Sequence, residues 1–376
     1  MTDRAYSSSR LSLARKRRGI TKTELARRAD VSSRSLTDYE SGRRSPTPST
    51  LLRLAEALEF PLGFFAGQEL PEAPIEAASF RALSKLTATR RDQAVASAAF
   101  ALALSQWIDE RFVLPDCDVP RIHEAGPETA ADAVRVAWSL GDRPIDNMVH
   151  LLEAHGVRVF SLVEECADVD AFSFWGDGTP FAFLNTMKTA ERSRMDAAHE
   201  LGHLVLHWAH GVAPRGRAAE ADAQAFASAF LMPRRSVLTS APRTGLLSDL
   251  HRAKHIWKVS AANLAHRMHR LDLLTDWQYR SIFIELSRLG QRRSEHDGIA
   301  RETSLVLKKV LASLRRDDSQ TKLDISDALT IPLEELNRVV FGLVLTPLAG
   351  GDAQMDDRTC TIRTQPALRI LTYNGN

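Results

Sequence analysis

One short segment, His199-Glu200-Leu201-Gly202-His203, constrains this chain more than any other part of its sequence. If the segment is helical, His199 and His203 lie one turn apart on the same face, where two neutral imidazoles can hold one divalent metal ion. Glu200 then lies about 100° around the helix, within reach of a metal-bound water but outside the ligand set. The segment therefore predicts a helix that carries a metal centre.

The flanking residues favour a helix with one buried face. Apolar residues recur around the motif at helical spacing, at Met195, Ala198, Leu201, Leu204 and Val205. Gly202 inside a helix costs ~1 kcal/mol relative to alanine, a cost expected where a site needs close packing. A second amphipathic segment, Glu220 to Pro233, can return antiparallel and offers Glu220 or Asp222 as a third ligand. Two histidines, a glutamate and a water form a catalytic zinc site, and the H-E-x-x-H order is typical of zinc peptidases.

These segments resemble the ImmA/IrrE-type metallopeptidases. The resemblance lies in His-Glu-Leu-Gly-His-Leu-Val-Leu-His at 199–207, in Phe-Ala-x-x-Phe-Leu-Met-Pro at 226–233, and in the strand-like Pro180–Asn185. It implies a Zn²⁺-dependent peptidase, with Mn²⁺ as the alternative metal.

The resemblance also implies roles for individual residues. His199, His203 and Glu220 would bind the metal, and Glu200 would be the catalytic base. Asp222 remains the rival third ligand, and Gln224 stands where the family has Asn or Asp. His207 lies about 6 Å beyond His203 along the helix axis, so it is expected to support the site rather than to bind the same ion.

The first 66 residues predict a separate bundle of five short helices. Thr21 precedes a helical segment at 22–29 and Ser32 precedes another at 33–40, both as N-caps, and Glu24 completes a capping-box pattern with Thr21. Residues 1–66 hold 13 Lys/Arg against 7 Asp/Glu, a net charge of +6, whereas the whole chain is +2. A basic module on a mildly acidic body is typical of a nucleic-acid-binding protein.

This bundle resembles the Cro/repressor-type helix-turn-helix of the xenobiotic-response-element class. The resemblance covers Glu24-Leu25-Ala26, Tyr39-Glu40-x-Gly42 and the Pro46/Pro48 loop. It implies that the third helix enters the major groove of a double-stranded DNA operator, and a homodimer is compatible with such binding. The matching base-contact positions are Lys22, Ser32, Ser33, Arg34 and Asp38. Arg43 and Arg44 suit phosphates, which position the protein without specifying sequence.

The length of 376 residues predicts two or three domains. We expect a helix-turn-helix domain at 1–66, a linker at 67–92, a zincin-like metallopeptidase domain with its flanking helices at 93–290, and a helical region at 291–376. The predicted fold class is mainly α with a small β-sheet (α+β). Short strands are expected at 157–160 and 172–175, with a hairpin that joins 172–174 to 181–184.

Two further expectations concern packing and location. The alanine-rich segment 92–112 is expected to be a helix packed on the metal domain, with a dimer seam as the alternative. No apolar run approaches the ~20 residues of a membrane span. Cys117, Cys166 and Cys360 are widely spaced, so they predict a reducing cytoplasm and buried, unpaired thiols.

The residues leave three functional hypotheses open. The first is a DNA-binding transcriptional regulator whose zinc-dependent peptidase domain cleaves a repressor or another regulatory protein. The second is a metal-containing, ligand-sensing transcription factor without proteolytic turnover. The third is an antitoxin-like autorepressor that binds a toxin partner. Glu200→Gln separates the first from the others, because it removes the base and keeps the ligands.

Overall fold

The computed structural model is mainly α-helical with one three-stranded sheet, which confirms the predicted fold class. It describes residues 6–74, 87–122, 125–162, 170–207, 216–291, 295, 297–317, 321–344 and 369–370. Within these ranges, no helix combines the length and apolar character needed to cross a lipid bilayer.

The N-terminal bundle follows its local capping signals closely. It consists of α1 (Ser8–Arg17), α2 (Lys22–Arg28), α3 (Ser33–Glu40), α4 (Pro48–Leu58) and a 3₁₀ turn (Leu62–Ala66). The Thr21 hydroxyl accepts a hydrogen bond from the Glu24 amide at 3.2 Å, and the Ser32 hydroxyl accepts one from the Ser35 amide at 3.0 Å. The capping box at Thr21 is half-formed, because the Glu24 carboxylate instead accepts hydrogen bonds from Arg27 and Arg28.

The sheet has the strand order β2–β4–β3. Its strands are β2 (Arg158–Ser161), β3 (Ala171–Gly176) and β4 (Thr179–Leu184). The predicted hairpin is present: β3 and β4 pair antiparallel around Asp177 and Gly178, whose φ angles of 48° and 83° suit a two-residue turn. β2 pairs parallel with β4, so β3 is an edge strand within the described part of the chain.

Helices cover the sheet and build the rest of the central part. They are α5 (Ala88–Asp109), α6 (Pro127–Ala137), α7 (Met148–Ala154), α8 (Ala190–Leu206), α9 (Arg217–Leu231), α10 (Arg234–Ser240), α11 (Leu247–Trp257), α12 (Ala261–Arg270) and α13 (Asp276–Arg288). α8, which carries the H-E-x-x-H segment, packs on β3, on β4 and most extensively on α9. α9 in turn packs on α6, so the segment lies inside a layer of helices.

The C-terminal helices connect the two ends of the chain. They are α14 (Leu305–Asp317), α15 (Lys322–Leu329) and α16 (Leu333–Val340), and a two-residue strand β5 (Arg369–Ile370) pairs with β1 (Phe112–Val113). Arg17 Nε donates to Glu335 Oε2 at 2.6 Å, and both side chains are fully buried. α16 also contacts β2, and the Thr186 hydroxyl donates to the Phe341 carbonyl at 2.9 Å. The α15–α16 pair therefore touches both the N-terminal bundle and the sheet.

Two packing expectations are wrong. The alanine-rich helix α5 packs mainly against α1 and α16 rather than on the H-E-x-x-H helix. Its small side chains are buried around most of its circumference, so no apolar stripe indicated which neighbour it would have. Cys117 is exposed instead of buried, while Cys166 and Cys360 lie outside the described residues.

Candidate metal centre

The crossing of α8 and α9 is close because Gly202 has no side chain. A Cβ atom at Gly202 would lie 3.0 Å from Phe226 Cδ1 and 3.2 Å from the Ala223 Cα. Larger residues at this crossing would push the two helices apart. The close approach brings Glu220, at the start of α9, to the histidine face of α8.

Three side chains converge on one point beside this crossing. His199 Nε2 and His203 Nε2 are 3.1 Å apart. Glu220 Oε2 lies 3.5 Å from His199 Nε2, and Glu220 Oε1 lies 3.5 Å from His203 Nε2. Asp222, the rival ligand, is exposed and is outside the group of metal-competent side chains found among the described residues.

The spacing of these atoms fits a small divalent ion. Ligands about 2.1 Å from a tetrahedral zinc ion lie about 3.4 Å from one another. The three separations of 3.1, 3.5 and 3.5 Å are close to that edge length. Two imidazole nitrogens and one carboxylate are also the donor set of many catalytic zinc sites. The residues present therefore fit a metal ion of this class.

The electrostatics of the group favour a positive charge among these atoms. Burial alone would lower the pKa of His199, but the hydrogen bond with Glu220 and the charges of Glu200, Glu220 and Asp196 raise it overall. Burial would raise the pKa of Glu220, but its hydrogen bonds with His199 and His203 hold that pKa well below its usual range. Glu220 is thus held ionised, as a metal ligand must be.

Glu200 is buried on the side of α8 that faces the sheet. Its carboxylate Oε2 accepts a hydrogen bond from the Ser173 hydroxyl on β3 at 2.6 Å. Trp175 lies two residues after Ser173 on β3, and its indole N–H donates to the Leu204 carbonyl at 3.2 Å. β3 therefore fixes both the rotation of α8 and the orientation of the predicted base. Ser173 was not singled out from the sequence. The available signal was its spacing of two residues from Trp175, which puts both side chains on the same face of β3.

His207 contacts the His203 ring on the side away from Glu220. Its Nδ1 lies 2.9 Å from His203 Nδ1, so it contacts the ring nitrogen that does not face Glu220. Burial, followed by the charge of His203, lowers the pKa of His207 to about 4, so this ring is neutral at ordinary pH. A neutral His207 can accept the Nδ1 proton of His203, in line with the supporting position expected for it.

The predicted DNA-contacting residues lie together around α2 and α3. Ser33 and Arg34 are exposed at the start of α3, and the Ser32 hydroxyl is engaged as its N-cap. Lys22 Nζ is 3.3 Å from Glu40 Oε2, with nearly half of the lysine side chain exposed.

Arg43 and Arg44 are exposed just beyond α3. Arg43 Nε lies 3.5 Å from an Asp38 carboxylate oxygen, and the Arg44 amide donates to the Asp38 carbonyl at 3.2 Å. All seven predicted positions thus lie on α2, on α3 or next to the ends of α3, and their contacts with DNA stay a prediction.

Comparison with known families assigns both segments. Residues 152–269 match a peptidase-family model described as the IrrE N-terminal-like domain, and residues 11–65 match the helix-turn-helix model. No curated protein matches the chain. The first match spans the sheet, α8 and α9, and the second spans α1 to the 3₁₀ turn. The chain therefore joins a helix-turn-helix DNA-binding domain to an IrrE-like, peptidase-like domain, which confirms the resemblance inferred from its sequence.

Proposed function

We propose that this chain is a DNA-binding transcriptional regulator whose metal-dependent peptidase domain cleaves a repressor or another regulatory protein. The observation that carries the proposal is the convergence of His199, His203 and Glu220 within 3.5 Å, with the Glu200 carboxylate held beside them by Ser173. Zn²⁺ is the proposed metal, with Mn²⁺ as the alternative. We also propose domains at 1–66, 93–290 and 291–376, with a linker at 67–92.

When bound, the metal ion acidifies a water molecule and polarises the substrate carbonyl. The residues of the chain supply binding, orientation and proton transfer. Glu200 takes the proton of the attacking water and later gives it to the leaving amine. The hydrogen bond from Ser173 holds the Glu200 carboxylate in place for both transfers. His207 Nδ1 accepts a hydrogen bond from the Nδ1–H of His203. This bond keeps the proton of His203 on Nδ1, so that Nε2 keeps its lone pair for the metal.

The substrate in this proposal is an extended peptide that pairs with the edge strand β3. β3 pairs only with β4 in the described part of the chain, so its other edge offers backbone donors and acceptors. A peptide added there runs beside Ser173 and therefore near Glu200. Backbone pairing suits the cleavage of a locally unfolded segment of a protein, because it requires no particular side chains.

In this proposal the helix-turn-helix brings the peptidase to its substrate at DNA. We propose that the exposed Arg34 reads a guanine in the major groove, while Arg43 and Arg44 hold phosphates. Lys22, Ser32, Ser33 and Asp38 complete the proposed contact surface. A homodimer would place two such surfaces on a pseudo-palindromic operator.

A second candidate, a ligand-sensing regulator without turnover, is favoured by one specific observation. The α15–α16 pair contacts α1 through Glu335 and the sheet through the packing of α16 on β2, so it joins the DNA-binding domain to the metal domain. Such a link could transmit a change of state without any cleavage.

The first experiment measures metal by mass spectrometry in purified wild type, Glu220→Ala and Asp222→Ala. We expect one zinc or manganese per chain in the wild type and in Asp222→Ala, and none in Glu220→Ala. Equal loss in both variants, or no metal in the wild type, would overturn the metal centre.

The second experiment compares the proteomes of cells that carry wild type or Glu200→Gln. We expect a regulatory protein to persist uncleaved with Glu200→Gln, although metal content and DNA binding are unchanged. An unaltered regulatory response would favour the sensor instead of the peptidase.

A further inference from the structure

Three buried side-chain atoms on the H-E-x-x-H helix have no hydrogen-bond partner among the described residues. One is Arg194 Nε, and the other two, Asp196 Oδ2 and His199 Nδ1, belong to residues about one turn apart. Residues three apart on a helix are neighbours on its surface, and helical side chains lean toward the N-terminus, so the His199 ring leans over the turn that holds Asp196.

A metal-binding histidine needs a partner for its second ring nitrogen. Such a histidine almost always donates its other N–H to a carboxylate, a carbonyl or a water, and this bond fixes the tautomer and the ring orientation. His203 meets the requirement through His207, whose Nδ1 is 2.9 Å away. His199 does not, because its Nε2 faces Glu220 while its Nδ1 is buried without an acceptor.

We propose that Asp196 is the positioning residue for His199: its carboxylate accepts the Nδ1–H hydrogen bond when His199 Nε2 binds the metal. This inference rests on the metal centre of the proposed function but not on proteolysis. It adds one carboxylate outside the ligand set, so that each histidine ligand has its own partner.

The surroundings of Asp196 leave it available for this role. Burial raises the pKa of Asp196 to about 6, with the charges of Lys188 and Arg192 acting in the opposite direction. Both of those cations pair with Asp170 instead. A buried carboxylate oxygen without a donor is costly, and so is a buried ring nitrogen without a partner, so the occurrence of both about one turn apart needs a physical reason. Metal binding, which fixes the proton on His199 Nδ1, supplies that reason.

The test measures metal affinity and metal-free stability in the same variants of the full chain. Zn²⁺ dissociation constants are obtained by competition with a chromophoric chelator for wild type, Asp196→Asn and the matched control Asp222→Asn, whose carboxylate is exposed on α9. We expect Asp196→Asn to bind Zn²⁺ about 10- to 100-fold more weakly. Asp222→Asn should match the wild type.

Thermal unfolding of the metal-free proteins separates positioning from a structural role. We expect the midpoint of Asp196→Asn to equal or exceed that of the wild type, because the substitution removes a buried charge whose Oδ2 has no partner. An unchanged Zn²⁺ affinity, or a lowered midpoint that accounts for the weaker binding, would overturn the inference. A wild type that binds no Zn²⁺ would overturn the metal centre itself, so the two failures are distinguishable.

Discussion

Two of the regions that bury charge in this molecule are arranged in opposite ways. At the junction between α1 and α16, the Glu335 carboxylate is surrounded by donors from Arg17 and Arg18. At the metal centre, by contrast, two imidazole nitrogens and a carboxylate point at one another. At the junction, donors and acceptor both belong to the chain. The donor set at the metal centre would be completed by a cation that the side chains themselves do not supply.

This difference teaches how to distinguish a structural cluster of charges from a site. In a structural cluster, donors meet acceptors, and removing one member leaves the other buried and unpaired. In a site, several groups with lone pairs converge on one point, and the binding of a ligand recovers the cost of burying them together. The two regions should therefore respond in opposite ways to the loss of a carboxylate and to the addition of metal.

The largest effect is expected at the junction. Glu335→Ala leaves Arg17, which is fully buried, without its ion pair, and should lower the free energy of unfolding by about 3–5 kcal/mol. The matched control is Glu334→Ala, because the Glu334 side chain is 64% exposed and pairs with Arg338 on the surface. The control should cost less than about 1 kcal/mol in urea titrations. Similar losses in both variants would contradict a special role for the buried pair.

The metal centre should show the opposite response. Zn²⁺ at 100 times its dissociation constant should stabilise the wild type by about 3 kcal/mol, because it binds the folded chain. Glu220→Ala should lose this gain, while Asp222→Ala and Glu335→Ala should keep it. The measurement is thermal unfolding with and without Zn²⁺. Equal stabilisation of Glu220→Ala would place the ion elsewhere.

A third buried carboxylate, Glu153, sharpens the comparison, because its hydrogen-bond donors are neutral groups. It accepts hydrogen bonds from the Ser304 hydroxyl and from the amides of Leu305 and Val306 at the start of α14. Burial raises the pKa of Glu153 to about 7. The folded state thus favours the protonated acid, and the resulting stability is full below pH 4.5 and is lost as the pH rises through about 7.

The corresponding experiment compares unfolding free energies of wild type and Glu153→Gln at several pH values. Relative to Glu153→Gln, the wild type should lose up to about 3 kcal/mol of unfolding free energy as the pH rises from 4.5 to 8. The exposed-site control Glu110→Gln should give a flat difference. A flat profile for Glu153→Gln as well would show that the dipoles stabilise the ionised form fully.

The smallest effects are expected on the exposed DNA-binding surface, where water screens each charge. Arg34→Ala should weaken operator binding by about 1–3 kcal/mol and relax specificity at one base pair. Arg43→Ala should weaken binding to all sequences alike. The number of counterions released on binding, obtained from the salt dependence of the affinity, should fall by about one. Fluorescence anisotropy on operator and scrambled DNA over a salt series distinguishes these outcomes. Identical behaviour of the two variants would contradict the assignment of base and phosphate contacts.

The sequence was most informative where the structure depends on neighbours along the chain. The limits of α2 and α3 follow from Thr21 and Ser32, which cap them locally. The β3–β4 hairpin follows from a turn whose residues require positive φ angles. The pair His199 and His203 also needs only helical spacing, so the sequence was sufficient to predict it.

The remaining features depend on contacts between distant segments. The close crossing of α8 and α9 at Gly202 and Ala223 determines that Glu220, and not Asp222, faces the histidines. The sequence suggested a close crossing but not the rotation of α9 about its own axis. The bond from Ser173 to Glu200 depends on which sheet face α8 covers. No pattern in the sequence indicated that Arg17 pairs with Glu335. Arg17 belongs to a run of basic residues, and such runs are usually exposed to solvent. The helix α6 was not predicted, although Pro127 and Glu128 at its first turn are start signals.

The junction has a consequence for the order in which the protein is made. Glu335 follows Arg17 by 318 residues, and two of the carbonyls that accept from Arg10 belong to Leu329 and Thr330. At about 5–20 residues per second, a ribosome reaches Glu335 roughly 15–60 s after the first helix. During that interval the nascent bundle presents an uncovered basic flank to its surroundings. A prematurely terminated chain would keep this flank and could be recognised by it.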